Sequence, residues 1–369
     1  MKRRAFLKQT AATGMAAALG GAASAAAKPH DPMKILLWCW DSRMTWDDEP
    51  GKIQLKMASA DTYFPYPKRP ESYQRGFRRL VDYCAKTGIW GVIIWGFLRE
   101  SHGGIEAAKD LCKYASDRGV AILPGVGLCS YGGYYYEGDH PFNLETYLKK
   151  HPERASVAHE DGSAREVKPV LDPSLPANQQ WWREGLDWML ETFEVSGVNY
   201  EMGDFIVNPS DAAVAARAAL GVDTNANIQD MLVATSALLE HAYTQRPDGT
   251  FINALYRGYH QIQDFPKLPY VDAVPSKTVW EYTLRHLVRR KDFPEAFKDL
   301  PAHRQYGYLH WFNASTGTQD QDFTSEIKRV FPHLHALGFE FVGTYGEIGV
   351  EGSAVADKNY RTQVECAVG

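Results

Sequence analysis

Cysteine is scarce in this chain, and long apolar runs, charge blocks, repeats and nucleotide-binding glycine signatures are missing from it. The five cysteines, Cys39, Cys84, Cys112, Cys129 and Cys366, have no spacing that suits zinc. Their odd number leaves at least one thiol free in an oxidising compartment. Cys84 and Cys112 fall within apolar helical patterns and read as core residues. The Ala- and Gly-rich stretch from Ala11 to Ala27 is too weakly apolar for a membrane span, which takes about 20 strongly apolar residues. No Cys follows it, which argues against a lipid anchor. A net charge of −5 over 369 residues favours neither nucleic acid nor an anionic membrane as a partner. No Gly-x-Gly-x-x-Gly follows the first apolar run, which removes the usual dinucleotide site.

The N-terminus is more informative. Arg3-Arg4 followed by Phe6-Leu7-Lys8 resembles a twin-arginine (Tat) export signal, and Ala23-Ser24-Ala25 or Ala25-Ala26-Ala27 offers a signal-peptidase site. The resemblance implies a leader over 1–27 and a mature domain over 28–369. It also implies passage through the Tat translocase in a folded state, and a periplasmic or secreted product. Removing the leader's four cations, Lys2, Arg3, Arg4 and Lys8, takes the net charge from −5 to −9.

Beyond residue 33, short β-rich runs alternate with amphipathic helices. Lys34–Trp40 is a near-continuous apolar run, as in a strand buried on both faces. Further strands are expected at Gly91–Phe97, Val120–Gly127, Val198–Met202, Phe251–Tyr256, Thr278–Tyr282, Gln305–Phe312 and Phe339–Tyr345. Helices are expected between them at 72–86, 104–118, 179–193, 211–220, 228–245 and 323–337. A short eighth helix is expected around Gln363–Cys366. Eight strands alternating with helices predict a single-domain α/β fold, a (β/α)8 TIM barrel. Two long loops, 41–71 and 128–178, would rise over its C-terminal face.

In such a barrel the residues just past the strand ends converge on one mouth. Here they include Asp41 and Arg43; Arg99 and His102; Tyr131; Glu201 and Asp204; Arg257 and His260; Glu281; His310; and Glu347. Three carboxylates carry the chemistry expected. Glu201 ends an apolar strand, where desolvation raises a carboxyl pKa as a general acid requires. Glu347 follows Gly-Thr-Tyr-Gly, and Glu281 sits between Trp280 and Tyr282. Aromatics make up 12% of the chain, enough for Trp40, Trp95, Tyr131 and Trp311 to form a platform for the C–H faces of sugars.

Those features together resemble a glycoside-hydrolase (β/α)8 barrel, in which the proton donor often follows the fourth strand, the place of Glu201. The resemblance implies a carbohydrate substrate, general acid/base catalysis by Glu201, and a second carboxylate at Glu347 or, in reserve, Glu281, with Asp204 orienting Glu201. It departs from the pattern at the seventh strand, where Leu309-His310-Trp311-Phe312-Asn313 offers no acid. Arg43, Arg99 and Arg257 suit a uronate or sulfate. No cofactor is required by this reading. A second resemblance is to metal-dependent sugar isomerases and epimerases of the xylose-isomerase-like barrel type, in which Glu201, Glu347, His260 and Glu281 would ligate Mn²⁺, Mg²⁺ or Zn²⁺. A non-catalytic carbohydrate-binding barrel is the third alternative.

Overall fold

A computed structural model describes residues 32–47, 69–156, 170–201, 210–219, 227–255, 274–283, 305–310 and 321–368. The leader expected over 1–27 lies outside them. Eight parallel strands form a closed barrel in sequence order: β1 (Lys34–Trp40), β2 (Gly91–Trp95), β3 (Ala121–Gly127), β4 (Gly197–Glu201), β5 (Thr250–Leu255), β6 (Val279–Thr283), β7 (Gln305–His310) and β8 (Phe341–Tyr345). β1 pairs with both β2 and β8, so the sheet has no open edge. The expected (β/α)8 fold is what forms.

Helices cross between the strands: α1 (Pro70–Thr87), α2 (Gly104–Ser116), α3 (Leu144–Lys150), α4 (Pro176–Thr192), α5 (Asp211–Ala219), α6 (Asn227–Gln245), α7 (Thr324–Ala336) and α8 (Ala354–Ala367). α1 shows how sequence sets such boundaries. Pro70 opens it, where a missing N–H costs nothing. Gly88 closes it in the left-handed conformation, donating its N–H to the Cys84 carbonyl at 3.0 Å. The eighth helix is longer than its expected stub around 363–366. It begins at Ala354, where the Ser353 side chain accepts from the Ala356 N–H and caps it. The apolar stripe of that helix is diluted by buried polar residues, Asn359, Thr362 and Gln363, which hid its start.

Strand alternation divides the buried residues into two cores. Along β1, Ile35, Leu37 and Cys39 join the layer between sheet and helices. Leu36, Trp38 and Trp40 join a separate cluster with Ile93, Trp95, Leu123, Ile252, Val279, Phe341 and Tyr345. That second cluster lines the barrel interior, as the two-residue side-chain period requires. Cys84 and Cys112 are buried in the outer layer, as expected.

Candidate active site

The mouth is built from the C-terminal ends of the strands. On β4, Val198 and Tyr200 belong to the outer layer. Asn199 and Glu201, which alternate with them, therefore face inward. On β6, Trp280 belongs to the outer layer, so Glu281 faces inward as well. The register carries these positions across β5: Tyr200 pairs with Asn253, and Asn253 with Trp280. Glu201 and Glu281 each lie one residue further on, at one level of the barrel on alternate strands. Neighbouring strands are about 4.8 Å apart, so the two backbones stand roughly 9–10 Å apart along the sheet, with side chains converging on the axis.

Glu281 is buried, and the Asn199 amide donates to its Oε1 at 3.4 Å. Burial pushes its carboxyl up to about 7, with the Asn199 hydrogen bond pulling the other way. Glu201 is also buried, at 6% exposure, and contributes to the field around the Tyr136 hydroxyl.

Glu347 has a different setting. It follows β8 and is fully enclosed. Its Oε1 accepts the Trp40 backbone N–H at 3.3 Å, and its carbonyl accepts the Thr45 N–H at 2.8 Å and the Thr45 hydroxyl at 3.1 Å. The Trp46 indole donates to the Gly346 carbonyl at 2.7 Å. These bonds join the segment after β1 to the segment after β8. Burial raises the Glu347 carboxyl to about 7, with Arg43 and the Trp40 amide opposing.

Asp41, Arg99 and His102 are brought together and fully or nearly buried. Arg99 Nε lies 2.7 Å from Asp41 Oδ2, and its Nη1 lies 3.4 Å from Glu137. His102 Nε2 lies 2.9 Å from the Gly96 carbonyl, so it carries the proton, and 3.5 Å from Asp41. Gly96 has φ +78°, and a Cβ there would overlap the Asp41 carboxylate. The triad thus joins the ends of β1 and β2 and the loop after β3. Its Arg99 guanidinium also lies 4.5 Å over the Tyr136 ring.

Of the aromatic residues expected at the mouth, Trp40, Trp95 and Tyr131 meet. Trp40 and Trp95 have ring centroids 5.2 Å apart, and Tyr131 packs edge-on against both. Tyr131 holds φ +61°, a costly conformation for a non-glycine residue. Sequence reasoning left out of this site Trp38, which lies 5.3 Å from Trp40 and 4.9 Å from Tyr345. It likewise left out Asn199 and gave Tyr136 no role. The strand period could have found Trp38 and Asn199, since each lies two residues before a chosen one.

His310 closes β7 opposite Thr344. Asp204, Arg257, His260 and Trp311 lie outside the described residues. Among the described residues no three His, Cys, Asp or Glu side chains gather at metal-binding spacing, and no helix is long and apolar enough to cross a membrane.

No protein-family model matches the sequence, and a search among curated proteins finds no match. Solved structures of similar fold include a chitobiase from Flavobacterium johnsoniae (TM-score 0.51, 12% identity, covering 92% of this chain and 48% of that one). They also include an α-amylase from Geobacillus thermoleovorans complexed with acarbose (0.52, 10%, 90% and 76%). A third is the catalytic domain of a β-amylase from Paenibacillus polymyxa (0.54, 10%, 91% and 98%). This chain spans about half the length of the chitobiase. At such identities the likeness is one of fold: the chain has the barrel architecture seen in glycoside hydrolases.

Proposed function

We propose that this chain is an exported carbohydrate-active enzyme that hydrolyses a glycosidic bond, with Glu201 as general acid/base and Glu281 as its partner carboxylate. One observation carries the reading. Two buried carboxyls face the barrel axis from alternate strands at the same level, beside a wall of tryptophans. Glu281, held at about 7 by burial, is protonated over much of the neutral range, so this partner can exchange a proton with the attacking water while Glu201 serves the leaving oxygen. Glu281 is preferred to Glu347 as the second group because it stands at the level of Glu201 on an alternate strand and faces the axis, whereas Glu347 follows β8 and bonds the β1 backbone. Export is supported by Arg3-Arg4 and the small-residue run behind it.

The test is a screen of the purified full chain against aryl glycosides and natural glycans, reading reducing-end release, with and without chelator. Glu201→Gln and Glu281→Gln should each lower kcat by about 10²–10⁴ in a folded protein. Undiminished turnover in Glu201→Gln would remove the assignment. Loss of turnover on chelation, restored by Mn²⁺ or Zn²⁺, would favour metal-dependent chemistry over the two-carboxylate reading, and metal-dependent interconversion of free sugars without glycoside cleavage would favour the isomerase-type alternative. The anomer released, read by NMR, separates retention, which needs carboxyls about 5–5.5 Å apart, from inversion at about 6.5–9.5 Å.

A further inference from the structure

Among the described residues, the buried polar atoms without a hydrogen-bond partner include four on side chains of the barrel interior and its rim. They are the indole Nε1 of Trp38, the indole Nε1 of Trp95, the hydroxyl of Tyr136 and Oδ1 of Asn199. Buried polar groups are nearly always satisfied, and a cluster left open needs an explanation. An indole N–H only donates, an amide oxygen only accepts, and a phenol does both. The partner that meets all of them must offer acceptors on one side and a donor on another. A ring carrying several hydroxyls does so.

The surroundings also set its charge and size. Arg99 is matched by Asp41 at 2.7 Å and Glu137 at 3.4 Å, and Arg43 faces Glu347. Neither described arginine brings an unmatched cation to the mouth, while Glu201 and Glu281 bring carboxyls. Trp38, Trp95 and Tyr345 are buried inside the barrel rather than laid along an outer groove. Among the described residues the only exposed large hydrophobics are Val214 and Val368.

Resting on the glycosidase reading above, we propose that the barrel interior receives one uncharged, terminal sugar residue. Its hydroxyls are met by the indoles of Trp38 and Trp95, by Tyr136 and by Asn199, and uronic acids and sulfated sugars are disfavoured. Arg43 and Arg99, which the sequence offered for acidic sugars, are matched by carboxylates, and Arg257 lies outside the described residues.

Titration calorimetry on the full chain tests it, using glucose, galactose, mannose, xylose and N-acetylglucosamine beside glucuronate and galacturonate. At least one neutral sugar should bind with Kd on the order of 1 mM, and the uronates at least about tenfold more weakly. Trp95→Phe keeps a ring and deletes the donor; it should weaken neutral-sugar binding about tenfold with an unchanged circular dichroism spectrum. Trp38→Phe serves the same purpose if Trp95→Phe fails to fold. Three results would overturn the inference: a uronate binding as tightly as any neutral sugar, both folded Trp variants binding as well as wild type, or binding and cleavage only of mid-chain oligosaccharide segments. The glycosidase reading fails separately, if no glycan of any charge or length is turned over. A neutral monosaccharide that binds while nothing is turned over would leave this inference standing alone.

Discussion

On the β1, β2 and β8 side, the barrel interior holds Trp38, Trp40, Trp95 and Tyr345; on the β4 and β6 side it holds Asn199, Glu201 and Glu281. The aromatic side is a packed wall, with neighbouring centroids 4.9–5.9 Å apart. It is fastened from behind by the Asp41–Arg99–His102 triad and by Glu347 on the Trp40 amide. On the acidic side the Asn199 amide donates to Glu281 at 3.4 Å. Between the two, β3 runs with glycines facing inward. Gly125 leaves the space that the Trp95 ring occupies, and a Cβ there would run into the indole. The contrast teaches that burial alone does not mark a reactive carboxylate. Asp41, Glu281 and Glu347 are all enclosed, but Asp41 and Glu347 are tied to β1 and β2 scaffolding, whereas Glu281 faces the axis.

The sharpest way to break this comparison is to exchange carboxylates on its two sides. Glu201→Gln should lower kcat by about 10²–10⁴. Glu347→Gln, which keeps an oxygen for the Trp40 amide, should change kcat no more than a few-fold. Steady-state kinetics on a cleaved glycoside decides, and equal losses in both would erase the distinction.

Next in size, Asp41→Ala leaves Arg99 buried with only the longer Glu137 contact. It should cost about 3–5 kcal/mol, read as a fall in urea midpoint at unchanged slope. A loss below about 1 kcal/mol would mean that the triad is not a fastener.

A third test uses pH. The Glu281 and Glu347 carboxyls sit at about 7 in the folded chain, against 4.5 ordinarily. Between those values the folded state holds protons that the unfolded state has released. The stability these two groups contribute is therefore fullest below pH 4.5, declines as pH rises to about 7, and is flat beyond. Each group contributes on the order of 3 kcal/mol to that decline. Urea melts across the window should become shallower in Glu281→Gln, and stability rising with pH in the variant series would contradict the burial assigned.

The smallest effect concerns the boundary between the sides. Gly125→Ala should push the Trp95 ring from its seat and cost about 1–3 kcal/mol, seen as a lower Tm and a shifted tryptophan emission. No change in either would mean that β3 leaves more room than its glycines suggest.

Much of the architecture was legible beforehand because its signals are local. The β1 run Lys34–Trp40 coincides with its strand, and β6, bounded by weak turn signals, lies one residue from its expected place. Ends set by caps were less legible: α8 starts at Ala354 because Ser353 caps it, and one serine among many carries little signal. At the mouth, the choice of Glu201, Glu281, Trp40 and Trp95 followed from strand ends. The engagement of Arg99 by Asp41, 58 residues earlier, did not, since nothing local distinguishes a guanidinium that meets a ligand from one that holds two loops.

Sequence by itself determined the order of eight strands, the two-residue alternation that points Asn199, Glu201 and Glu281 inward, and the basic leader-like start. These depend on side-chain period and composition along the chain. Only the tertiary structure decided which enclosed carboxylate faces the axis and which bonds a backbone amide. It also decided which cations are already matched, and which indoles are left with a donor unmet. The reason is closure: when β8 pairs with β1, residues more than 300 positions apart, Trp40 and Glu347 among them, become neighbours, and burial then sets their charge and their partners.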